Sequence, residues 1–210
     1  MGGSNLGIIV VAVVLVLVVV GIVVLIASMR LRAQVRAWSE LASQLGLACN
    51  RKGRPGAPVW LQGEYSGHPV IMDTYNESHH YHSSGRNRTT VDTFTRITME
   101  VSNPAGLSLE LSKEGAFAKV TQRLSAQDIQ TGDAELDGRL AIKGEPEDAV
   151  RRLLTAEGLR PLLLSAAKLD LSLAQGEIRY RQPGVEKDKK RLRSAFDLLA
   201  ALATEVERTS

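Results

Sequence analysis

Three of the chain's four histidines, His79, His80 and His82, fall within four positions. Imidazole nitrogens are common zinc ligands. A zinc site needs three or four ligands converging tetrahedrally, with a second hydrogen bond fixing each ring. In an extended chain His79 and His80 point to opposite faces, so only His80 and His82 share one. His68 and Glu77 add ligands only if the fold brings them close. The metal candidates His79, His80 and His82 therefore lack ligands. The polar stretch around them, 76–90 with its S-S-G-R-N-R run, reads as a flexible loop between two strands.

A second pattern is D-A-E-L-D-G, Asp133 to Gly138. It resembles the opening of a calcium loop, with acids at the first, third and fifth positions and then glycine. The twelfth position, where a bidentate Glu belongs, is Gly144. Thr131 and Asp133 are expected to hydrogen-bond turn backbone instead. Catalytic motifs are absent: there is no G-x-S-x-G, P-loop, H-E-x-x-H, or G-x-G-x-x-G after a strand. The expectation is a protein that is not an enzyme and has no cofactor.

What must position these residues begins with a membrane segment. Leu6 to Ala27 holds no charged or strongly polar side chain. Its roughly 22 residues span about 33 Å as a helix, enough for the hydrocarbon core of a bilayer. No basic segment precedes the run and no A-x-A site follows it, which disfavours a cleaved signal peptide. Arg30, Arg32 and Arg36 follow the span. The positive-inside rule then puts the N-terminus outside and the rest of the chain in the cytoplasm, at an inner membrane. The single Cys49 agrees with a reducing compartment. These three arginines are placed at the membrane surface, where each basic residue gains about 1 kcal/mol against anionic headgroups. K-D-K-K-R-L-R, Lys187 to Arg193, reads as a solvated face. Lys189, Lys190, Arg191 and Arg193 are further membrane-surface candidates. With a net charge of +3 and only 4% aromatic residues, the chain lacks the basic-aromatic stripe of a nucleic-acid binder.

Beyond the span, Leu31, Val35, Trp38, Leu41, Ala42 and Leu45 fall at helical spacing and predict an amphipathic stalk over 30–49. Asn50 to Pro58 is turn chemistry. Alternation then predicts strands around Val59 to Tyr65, Val70 and Met72, Val91 to Val101, and Leu107 to Leu111. Leu136 to Ile142 is expected as a strand, and Pro146 opens a helix with Val150, Leu153 and Leu154 inward. A further short helix is expected over Leu159 to Lys168. Leu169 to Leu173 and Glu177 to Tyr180 form a hairpin across Gln175–Gly176. A last helix from about Asp188 to Glu207 presents Leu192, Phe196, Leu199 and Val206 on one stripe. The fold class is α+β: an N-terminal transmembrane helix (1–29), a stalk, and an antiparallel-sheet domain with packed helices over 50–210.

Gln127 to Leu173 resembles a domain that recurs in uncharacterised bacterial membrane-anchored proteins. Thr131, Gly132 and Asp133 form its T-G-D turn. Asp137 lies in the acidic and apolar segment that follows, and Leu153, Leu154 and Thr155 form an L-L-T helix boundary. Similar proteins commonly carry an aromatic where this chain has Leu136 and Leu140. The resemblance implies a bacterial inner-membrane setting and no particular activity. The functional expectation is an interaction or adaptor domain whose partners are the bilayer and a protein, or a second copy of itself, without nucleic acid. The alternative is a metal- or ligand-responsive sensory module using the histidine segment.

Overall fold

The computed structural model describes residues 3–51, 58–83, 86–113, 129–166 and 170–209, with backbone only for 3–11, 30 and 79–88. The chain opens with one unbroken helix, α1 (Gly3–Leu45), of 43 residues. It is long and apolar enough to cross a membrane. Val13, Leu17, Val20 and Leu25 are each more than half exposed, so no described part of the protein covers this stretch. The C-terminal part of the same helix behaves differently. Trp38 and Leu41 are fully buried and Ala42 nearly so. The stalk is therefore a helix of the domain core. It stops because Gly46 adopts φ 72°, which lets the Leu47 amide donate back to the Ala42 carbonyl at 2.9 Å.

The remaining elements are β1 (Ala48–Arg51), β2 (Val59–Tyr65), β3 (His68–Ser83), β4 (Arg86–Glu100), β5 (Ser108–Lys113), α2 (Ala134–Asp137), β6 (Leu140–Glu145), α3 (Glu147–Leu154), α4 (Arg160–Ser165), β7 (Asp170–Ala174), β8 (Glu177–Pro183) and α5 (Lys189–Arg208). The strands form one eight-stranded antiparallel sheet in the order β1-β2-β3-β4-β8-β7-β5-β6. The fold is α+β.

Register explains the core. Leu61, Met72, Ile97, Tyr180, Leu171, Leu111 and Ile142 lie in one row across seven strands, each opposite the next. All seven are buried, and the end of α1 with α3, α4 and α5 covers them. Period-two alternation along each strand supplies the row, and the 3.6-residue period of α5 supplies its cover. Gly144 stands where β6 meets β5 most closely: a Cβ there would sit 2.2 Å from the Ser108 carbonyl oxygen.

Three expectations change. The stalk, expected over 30–49 with a turn from Asn50, ends as helix at Leu45, and Ala48–Arg51 is an edge strand paired with β2. The stretch 76–90, expected as a flexible loop, is strand over 76–83 and 86–90: β3 and β4 stay paired from Val70↔Met99 out to Ser83↔Arg86. β2 pairs β3 only over His68 to Met72, and β8 pairs β4 only over Thr95 to Glu100. Beyond this base the two strands form a ribbon, about 23 Å long from Asn76 to Ser83 at strand rise. The expected strand from Leu136 to Ile142 begins at Leu140, because Asp133 caps α2 by accepting from the Glu135 and Leu136 amides.

Candidate functional site

Alternation that sends Met72, Ile97 and Tyr180 into the core sends their neighbours to the opposite face. No helix among the described residues packs on that face. There, at the root of the ribbon, β3 contributes Asp73, Tyr75 and Glu77, β4 contributes Phe94 and Arg96, and β8 contributes Arg179 and Arg181. Arg96 stands directly opposite Arg181 across the β4–β8 pairing.

Each guanidinium is held by carboxylates. Arg96 donates through Nε and Nη2 to the two Asp73 oxygens, at 2.9 and 2.6 Å. Arg181 donates through Nε and Nη2 to Asp170 Oδ2, at 3.1 and 2.8 Å, and through Nη1 to Glu77 Oε1 at 3.1 Å. Two rings sit beside them: Tyr75 stacks on Phe94 with centroids 5.5 Å apart and planes 22° from parallel. Arg96 lies 5.0 Å from the Tyr75 centroid and Arg181 5.8 Å from that of Phe94. The hydrogen bond to Asp73 holds Arg96 above the ordinary guanidinium range. Partial burial works against charge on Arg181, but Asp170 and Tyr75 outweigh it, so its affinity for the proton rises too.

Tyr75, Glu77, Arg96, Asp170 and Arg181 border a shallow cavity of about 350 Å³ that continues onto Ser112 and Ser172. The Ser112 hydroxyl is buried without a hydrogen-bond partner. The cavity offers charged guanidinium donors, carboxylate acceptors and the half-buried Tyr75 ring. Arginine and aromatic side chains grouped in this way are common anchors of recognition surfaces.

The residues singled out from sequence lie elsewhere. His79, His80 and His82 are on the outer part of β3, with His80 opposite Thr89 and His82 opposite Asn87. Their side chains lie outside those described. His68 is eleven residues back along the same strand, about 36 Å at strand rise, so it does not join them. It is buried near Glu207, with Nδ1 3.8 Å from Oε1. Among the described residues no group of three or more His, Cys, Asp or Glu side chains is arranged to hold a metal.

The carboxylates of the 133–138 pattern are turned inward on their own turn. Asp137 accepts from the Thr131 and Gly132 amides and the Thr131 hydroxyl. Asp133 caps α2 and pairs with Arg160 at 2.5 Å, and that hydrogen bond holds its carboxyl below the usual range. Arg160 also reaches Glu135 at 2.9 Å.

The cations at the start of α5 take partly structural positions. Lys189 pairs with Glu40 of α1 at 2.6 Å, and Arg191 lies 3.5 Å from Glu186. Lys190 and Arg193 are exposed. Arg30, Arg32 and Arg36 all fall on α1 just past the apolar stretch, and Arg32 and Arg36 are exposed.

Sequence reading passed over Tyr75, Phe94, Arg96 and Arg181. The available signal was the second half of the alternation. In D-T-F-T-R and R-Y-R the positions between core residues hold an aromatic and three arginines. Comparison with family models, curated proteins and solved structures returns no match for this chain.

Proposed function

We propose that the chain is a single-pass inner-membrane protein that holds its α+β domain at the cytoplasmic surface as a non-catalytic adaptor. Its open sheet face would dock a protein partner. The observation that carries this reading is the continuity of α1: one helix is lipid-like over its first part and enters the domain core at Trp38. Such a helix fixes a domain against a bilayer with no intervening linker. Arg30, Arg32 and Arg36 beside the span support the cytoplasmic orientation. The Arg96–Arg181 pair, framed by the Tyr75 and Phe94 rings, supports docking. It suits a protein segment that offers oxygen acceptors to the guanidiniums and an apolar side chain to the rings.

A photo-crosslinking residue placed at Ser172 or Thr98 on the open face, or at Thr204 on the helix side as control, tests the reading in intact cells. A discrete adduct is expected from the two open-face positions and not from Thr204, reduced severalfold by Arg181→Glu. An adduct of twice the chain's own mass identifies the partner as a second copy. Equal labelling from all three positions, or no effect of Arg181→Glu, overturns the docking assignment.

A further inference from the structure

The described parts of α1 and β1 meet in a groove that the open sheet face does not use. It holds about 710 Å³ and is lined by Val24, Ala27, Leu31 and Val35 along one helix face, with Arg32 and Arg36 of α1 and Arg51 from the end of β1 beside them. Val24 to Arg36 is 12 residues, about 18 Å of helix. The lining is graded along that length. Its membrane end is apolar apart from Ser28, whose hydroxyl donates back to the Leu25 carbonyl at 2.7 Å, and its domain end carries three guanidiniums.

Arg32 and Arg51 make no ion pair among the described residues, and Arg36 has only the field of Glu40 one helical turn away. Arg51 is brought here by topology. Gly46 turns the chain at the end of α1, and β1 runs back alongside the helix, so its last residue returns to the level of the first arginines. No spacing rule in the sequence joins position 51 to positions 32 and 36.

We infer that this groove is a binding site for one anionic phospholipid. Its headgroup would be held by Arg32, Arg36 and Arg51, and an acyl chain would lie along Val24, Ala27 and Leu31. The apolar-to-cationic gradient has the polarity of a lipid entering from the bilayer. Guanidiniums without an ion pair among the described residues favour a phosphate bearing net negative charge over a zwitterionic headgroup. The inference rests on α1 crossing a membrane, as proposed above.

The full chain is reconstituted in phosphatidylcholine vesicles containing phosphatidylglycerol, extracted in mild detergent, and its retained lipid counted by native mass spectrometry. One phosphatidylglycerol per chain is expected, in preference to phosphatidylcholine. Arg51→Gln should lower its retention about fivefold, since each cation at an anionic surface contributes on the order of 1 kcal/mol. Arg32→Gln should act similarly, whereas Arg152→Gln, which removes an exposed charge far from the groove, should have no effect. Arg51 is exposed at a strand end, and unchanged melting of Arg51→Gln confirms that the fold is kept. Equal loss from Arg51→Gln and Arg152→Gln overturns the site, as does equal retention of the two lipids. Displacement by inorganic phosphate at low millimolar concentration overturns the lipid assignment by showing a free-anion site. Extraction of the chain by alkaline carbonate would instead defeat the anchor reading, so the two failures are separable.

Discussion

Two arginines directly opposite on neighbouring antiparallel strands repel one another, and such like-charge pairs normally weaken a sheet. Arg96 and Arg181 are tolerated because each is paired with carboxylates: Asp73 for one, and for the other Asp170 on its far side and Glu77, which it reaches across β4. A carboxylate also matters where α5 meets α1. The Lys189 hydrogen bond keeps the Glu40 carboxyl below its usual range, as Arg160 does for Asp133. Burial pushes Glu186 up, but the Asp188 and Lys187 amides outweigh it, so its carboxyl is lowered as well. Groups whose pKa is lower in the folded state stabilise it above their unfolded pKa, and that contribution fades as pH falls through the folded one. The melting temperature of the full chain in detergent should thus hold from pH 7 to about 5 and fall below about 4.5, the ordinary carboxylate range. Glu40→Gln should melt below the parent at pH 6, and the gap should close on acidification to pH 3. A constant gap would show that the Lys189–Glu40 pair contributes nothing to the acid response.

The ribbon is the element that most changes the picture drawn from sequence. A two-stranded ribbon has both faces exposed, so its residues need no apolar period, and Asn76 to Thr93 shows none. Pairing in register is directly testable. Asn76 and Thr93 face each other, joined by a side-chain hydrogen bond of 2.8 Å. In a Cys49→Ser background, Asn76→Cys with Thr93→Cys should close a disulfide under mild oxidation, and Asn76→Cys with Asp92→Cys should not, because the off-register pair points to opposite faces. Equal closure in both would mean a loop at these positions.

Legibility follows the same logic. Where one face is buried, period two was readable: Val70 and Met72, Ile97 and Met99, Leu109 and Leu111 all face inward. The turn at Gln175–Gly176 joins β7 to β8 as its sequence suggested, with φ of 53° and 76°. α2 was missed because four residues are too few to separate a helical from an alternating period, although its cap, Asp133, was in view. Arg96 and Arg181 were missed because their significance is relational, arising from pairings between segments some 85 residues apart.

At the scale of the molecule, the absence of a linker sets the geometry. Trp38 is 11 residues past Ala27, so the domain core begins about 16 Å beyond the apolar stretch. Trp38 locks the joint by donating its indole N–H to the Glu186 carbonyl at 2.9 Å, and Lys189 adds its bond to Glu40. β1 runs back toward the span, and two antiparallel pairings make β3 run the same way as β1. The ribbon is therefore carried on the side of the sheet from which the membrane helix emerges. Its outer residues are polar or basic, which suits an aqueous or headgroup surface better than hydrocarbon. Which surface they meet depends on topology. C-terminal fusions to a cytoplasm-active and a periplasm-active reporter, compared in intact cells, should give signal only from the cytoplasmic one. That result places Arg32, Arg36 and Arg51 against the leaflet where basic residues are favoured. Signal only from the periplasmic reporter would defeat the cytoplasmic adaptor reading. It would also put His79, His80 and His82 in a compartment where metal exchange is open, and equilibrium zinc binding by the untagged chain would then be the measurement that decides between docking and metal capture.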